Sequence, residues 1–149
     1  MKQDWKAGEL ALTYNRTEPD GRRVTRPEVM TAELRNYYGD DIEVREVAIV
    51  VGLSRSNQVR SVFRVGSGSC AGCLIDPKLV FARLLLDNCA AFVLSHNHPS
   101  GNNSPSLSDK TLTQQFVSVG NALDLPMLDH LIITEGGFYS FATSSGLIK

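Results

Sequence analysis

The sequence predicts a mixed α/β fold, a mixed β-sheet flanked by helices. Three observations predict it. Strand-sized runs rich in Val, Ile and Leu (residues 43–53, 91–95 and 127–134) alternate with helix-sized segments. A short turn-forming segment joins residues 43–53 to 59–65 as a hairpin, so the sheet cannot be wholly parallel. The chain has 149 residues, 42% of them hydrophobic and 21% charged, which is enough for one domain and one buried core.

The elements follow in chain order. Residues 1–24 mix polar residues with Gly8, Pro19 and Gly21 and show no sustained period, so they are expected to form an N-terminal arm. Residues 25–149 form the domain. Thr25 can cap a first helix, with Pro27 in its first turn, Glu28 completing a capping box and Gly39 as its stop. Residues 43–53 (EVREVAIVVGL) read as a largely buried strand. Arg55 to Gln58 is a turn, and Val59 to Val65 alternates enough to be the returning strand. Gly66 to Gly72 is a loop of small residues. Asp76-Pro77 opens a second helix that ends near Asn88. Ala91 to Ser95 is a short apolar strand, followed by a loop from His96 to Pro105. A third helix spans about Leu107 to Ala122. Met127 to Thr134 is a strand, Glu135 to Gly137 a turn, and Phe138 to Phe141 a closing strand.

Composition excludes several functional classes. No window approaches the roughly 18 consecutive apolar residues of a membrane span, and mean hydropathy is -0.10. The N-terminus (MKQDWKAGEL) has no apolar stretch behind its basic residues, so no secretory signal is read there. Three cysteines (Cys70, Cys73 and Cys89), an odd number without an export signal, point to a reducing compartment, the cytoplasm. Fifteen basic residues against sixteen acidic ones give a net charge of -1, which offers no support for DNA binding.

The chemistry concentrates in His96-Asn97-His98-Pro99-Ser100-Gly101 and the Pro105-Ser106-Leu107-Ser108-Asp109 that follows. His96 and His98 stand two apart just past an apolar strand, and alternate side chains of extended backbone share a face. Both imidazoles can therefore converge on one metal ion. A loop dense in turn formers can bring Asp109 back to the same point. Two imidazoles and one carboxylate suit Zn²⁺, and three protein ligands leave a position open to water, the mark of a catalytic site. Zinc lowers the pKa of such a water from about 15.7 to about 7. A neighbouring carboxylate then serves as general base, and a hydroxyl steadies the oxyanion. Ser106 lies three residues before Asp109. The same spacing also reads as a capping box with Ser106 as N-cap, and the two readings are compatible.

This segment resembles the JAMM (JAB/MPN) metalloprotease motif, Glu … His-x-His-x(10)-Asp. More closely, His-Asn-His-Pro-Ser-Gly, Pro-Ser-x-x-Asp and Leu128-Asp129-His130-Leu131-Ile132 resemble the signature of the RadC family, over about residues 43–147. The resemblance implies a cytidine-deaminase-like JAB/MPN fold with one zinc ion. It puts His96, His98 and Asp109 at the ligand positions and Ser106 at the oxyanion-stabilising position. It also calls for a strand Glu seven residues before the Leu that ends the strand. Glu46 fits that place before Leu53, with Glu43 as the alternative. A carboxylate at the mouth of a Val/Ile strand is costly unless paired or functional; its structural alternative is a pair with Arg45 or Arg64. The implied activity is zinc-dependent hydrolysis of a peptide or isopeptide bond in a protein or peptide substrate. The alternative is a non-catalytic metal-binding interaction module in DNA repair or other DNA transactions. About forty residues precede the motif domain, too few for the helix-hairpin-helix region that RadC proteins usually carry.

Other features carry less. Cys70-x-x-Cys73 has no partner pair and is read as structural. It precedes the histidines and no His-x-Glu exists, so the zinc-deaminase signature is absent. His130 can be either a strand-end histidine bonded to backbone or a group behind the metal ligands. Ser95, Asn97 and Ser100 are candidate donors to those ligands. Arg55, Arg60 and Arg64 read as a solvated hairpin face.

Overall fold

The computed structural model describes residues 23–68 and 75–149. The expected N-terminal arm, apart from its last two residues, and Cys70-x-x-Cys73 lie outside them. Helix α1 (Pro27–Tyr38) leads through a 3-10 helix (Gly39–Glu43) into strand β1 (Glu46–Leu53). Strand β2 (Val59–Gly68), helix α2 (Pro77–Leu86), strand β3 (Ala91–Asn97), helix α3 (Leu107–Ala122), strands β4 (Met127–Ile133) and β5 (Phe138–Ser140), and the short helix α4 (Phe141–Ser144) follow. The sheet order is β2-β1-β3-β4-β5. Only β3 and β4 run parallel; every other neighbouring pair is antiparallel. The parallel pair is the one joined through a helical crossover, α3, as a parallel connection requires. The mixed α/β architecture expected from the sequence is the one found.

Helices cover both faces of the sheet, which explains why β1 and β3 read as unbroken apolar runs. On one face Val47, Ile49 and Val51 of β1 pack with Met30, Leu34 and Tyr38 of α1. On the other, Ala48 and Val50 pack with Phe92 and Leu94 of β3, Phe81 of α2 and Phe116 of α3. Phe81 lies edge-on to Phe92, with ring centroids 5.4 Å apart, and stacks on Phe116 at 5.5 Å. Among the described residues no helix is long and apolar enough to cross a membrane.

Four local expectations are corrected. The first helix is capped at Arg26 and no side chain bonds to its start, so the Thr25–Glu28 capping box does not form. Pro27 sits at the first helical position, and its fixed φ sets the boundary one residue beyond Thr25. The strand expected from residue 43 begins at Glu46, because Gly39–Glu43 close into the 3-10 helix. β2 continues through Gly66 and Gly68, where a loop was expected. The closing strand stops at Ser140, whose side chain accepts from the Thr143 N–H and starts α4 at Phe141. Asp76 does cap α2, accepting from the Lys78 N–H at 2.9 Å.

Candidate metal centre

The centre forms where β1 begins and β3 ends, beside the start of α3. The β1–β3 register pairs Gly52 with Phe92, Val50 with Leu94 and Ala48 with His96. Paired residues share a face, so His96 points to the side covered by α2 and α3. Glu46, two residues before Ala48, shares that face. β3 extends through His96 to Asn97, further than its apolar run suggested. His98 follows, and its Nδ1–H donates to the Asn102 carbonyl at 2.7 Å. A carbonyl only accepts, so the neutral ring keeps its Nε2 lone pair free. The turn-rich loop thus orients the second imidazole.

Asp109 arrives by the capping of α3. Ser106 Oγ accepts from the Asp109 N–H at 3.1 Å, and Asp109 Oδ2 accepts from the Ser106 N–H at 2.7 Å. The carboxylate is thereby fixed toward the sheet and is 8% exposed. Its Oδ1 lies 3.1 Å from His96 Nε2, and its Oδ2 lies 3.6 Å from His98 Nε2. The two Nε2 atoms are 2.9 Å apart. Ligands about 2.0–2.1 Å from a tetrahedral zinc stand about 3.3 Å from one another. The three separations bracket that edge, so His96, His98 and Asp109 fit one zinc ion. Glu46 Oε1 lies further out, 4.0 Å from His96 Nε2. With the two histidines it forms a compact group of potential ligands, all within 4.8 Å of one another.

Electrostatics keep the Asp109 carboxylate ionised. Burial would raise the Asp109 carboxyl, but the imidazoles of His96 and His98 and the Ser106 N–H outweigh it. They hold the group well below the usual carboxylate range. The Asp109 carboxylate, 3.6 Å from its Nε2, raises His98 against the opposing effect of its burial.

Of the two candidate glutamates, the structure brings Glu46 to His96, while Glu43 is exposed at the end of the 3-10 helix. Neither arginine proposed to pair with Glu46 does so. Arg45 Nε and Arg64 Nη1 both bind Asp41, at 2.9 and 2.7 Å. Ser106 is exposed and performs the capping role. Its Oγ accepts from backbone, and that leaves the hydroxyl proton to be donated.

Ser95 and Asn97 are not donors to the ligands. They alternate with His96 and face α1. Ser95 Oγ lies 2.6 Å from Tyr38 Oη. Asn97 Nδ2 donates to the carbonyls of Asp41, Ile42 and Arg45, and its Oδ1 accepts from the Val47 N–H. Ser100 accepts from the Asn102 N–H within the loop. Two residues stand behind His96 and Asp109, and the sequence pattern alone does not place them there. His130, on β4, lies 2.9 Å from His96, and Thr113, on α3, lies 2.6 Å from His130. Thr113 was findable, because it stands one helical turn after Asp109 on the same face.

A family profile described as RadC-like JAB domain matches residues 24–147. The chain is 44% identical over 92 residues to a UPF0758 protein of Flavobacterium johnsoniae, covering 62% of this chain and 40% of that one. It is 34% identical over 135 residues to a UPF0758 protein of Salinibacter ruber, covering 86% and 58%. It is 39% identical over 98 residues to UPF0758 protein YfjY of Escherichia coli, covering 66% and 61%. The matches thus span between 40% and 61% of these relatives' own lengths.

Proposed function

The chain belongs to the family of RadC-like JAB domains, and from that premise we propose that it is a zinc-dependent hydrolase of peptide or isopeptide bonds. The observation that carries the proposal is that the Glu46 and Asp109 carboxylates each approach His96 Nε2, with His98 Nε2 2.9 Å from the same nitrogen. His96, His98 and Asp109 would hold the ion. Zinc bound there supplies Lewis acidity toward water and a carbonyl oxygen.

The chain's own residues divide the remaining work. Glu46 Oε1 stands at 4.0 Å from His96 Nε2, longer than the roughly 3.3 Å ligand edge, which suits a base beside the ligands better than a fourth ligand. It would take a proton from the attacking water and return it to the leaving amine. The Ser106 hydroxyl, already oriented by the Asp109 N–H it accepts from, would donate to the oxyanion. The buried walls beneath His96 keep bulk water from its far side, since β3 is buried throughout.

Two measurements test this reading. Protein purified without added zinc should carry close to one equivalent of the metal, and His96→Ala with His98→Ala should lose it. Glu46→Gln should retain zinc while cleavage of an isopeptide library falls by at least about 100-fold, the lower end of a general-base contribution. An active Glu46→Gln enzyme would remove Glu46 from the mechanism. Zinc binding with no cleavage by the native chain would favour the non-catalytic interaction module.

A further inference from the structure

We propose that His130, backed by Thr113, is a positioning residue that fixes the tautomer and ring orientation of His96, so that the His96 Nε2 lone pair faces His98 and Asp109. The inference deepens the metal-binding reading above and rests on it.

The hydrogen-bond chain leaves one consistent proton assignment. Thr113 Oγ1 donates its single proton to the Asp109 carbonyl oxygen at 2.7 Å. Its remaining capacity is to accept, so the 2.6 Å contact with His130 is donated by His130 Nδ1–H. His130 is fully buried, and its ring stacks on Phe141 with centroids 4.8 Å apart and an interplanar angle of 9°. Its two ring nitrogens are taken up by Thr113 and His96, and neither partner is a carboxylate that could balance a second proton. A neutral ring with its proton on Nδ1 offers Nε2 as an acceptor. The 2.9 Å contact between His130 Nε2 and His96 Nδ1 is therefore donated by His96. His96 then carries its proton on Nδ1, and its Nε2 lone pair points toward His98 and Asp109.

The same chain couples two ligands. It starts on His96, passes through His130 and Thr113, and ends on the backbone of Asp109. The sheet makes this possible: β4 pairs Leu94 with His130 and His96 with Ile132, which puts the His130 ring beside His96 on the same face. A ligating histidine whose other nitrogen is held by a fixed acceptor keeps its orientation without an entropic cost at binding.

The experiment measures zinc affinity by chelator competition and the His96 tautomer by side-chain nitrogen NMR, both on the full chain. His130→Asn removes the acceptor, and Thr113→Val removes the group that fixes the His130 proton. Each should weaken zinc binding by about 10- to 100-fold. His130→Gln, whose longer side chain returns an oxygen toward the position of Nε2, should recover most of that loss. The metal-free native chain should show the His96 proton on Nδ1. Unchanged zinc affinity in a folded His130→Asn chain, or a native His96 proton on Nε2, would overturn the inference. If a variant does not fold by circular dichroism, the native tautomer decides. A native chain that binds no zinc defeats the metal reading, and the metal-free tautomer then still decides this one.

Discussion

His98 has one nitrogen committed to the Asn102 carbonyl and the other turned to the Asp109 carboxylate. That carboxylate raises the His98 pKa in the folded chain above its ordinary 6.5, so folding favours the protonated ring. In the metal-free protein this stabilisation is fully present below pH 6.5 and is lost as pH rises through the raised folded value. The Tm gap between native protein and His98→Asn, measured with a chelator present, should be widest in mild acid and close on going alkaline; a gap independent of pH would refute it. Zinc bound as proposed would reverse the trend, because protons compete for the same nitrogen, and its apparent affinity should then fall as pH drops. Residue types and spacing made the clustering of His96, His98 and Asp109 legible. The roles of Ser95 and Asn97 were open to the same period-two argument, which sends them to the α1 face.

At the scale of elements, α3 shows how one sequence pattern serves both fold and site. Ser106 and Asp109 form its capping box, and Asp109, Thr113, Phe116 and Gly120 form its buried stripe at helical spacing. Gly120 is needed for close approach. A Cβ there would stand 2.4 Å from the Leu125 carbonyl oxygen and 3.4 Å from the Phe92 ring. Gly to Ala in a helix interior normally stabilises by about 1 kcal/mol. Here the backbone oxygen cannot yield cheaply, and Gly120→Ala should instead destabilise by about 1–3 kcal/mol in urea titrations. A stabilised variant would show that the α3–β4 connection can relax. The start of β1 departs from the local pattern for a related reason. Residues 43–45 look strand-like, but Asn97, more than fifty positions away, takes the carbonyls of Asp41, Ile42 and Arg45 and holds the 3-10 helix in place. Local propensity carries no signal of such a partner.

Across the whole molecule, two cores share one sheet. Leu34 anchors the α1 side at 1% exposure and Phe116 the opposite side at 0%. β1, β3 and β4 supply residues to both cores, so neither layer can open without stripping the other. Leu34→Ala should cost about 2–5 kcal/mol and Phe116→Ala about 3–5 kcal/mol. Each should shift a single urea transition with an unchanged m-value. Two transitions in either variant would mean that the layers unfold separately. The candidate metal centre depends on this frame: Glu46 and His96 come from the shared strands, and Asp109 from a helix of one layer only.

Hydrophobic period, caps and residue chemistry are local properties, and they suffice for the fold class, the hairpin, the α3 boundaries and the convergence of His96, His98 and Asp109. Which glutamate meets His96, what Asn97 holds, and that His130 and Thr113 stand behind His96 and Asp109 emerge only in the folded chain. Those facts depend on strand register and on which face each helix covers. Both are set by packing between segments far apart in the chain, where no local pattern records the partner.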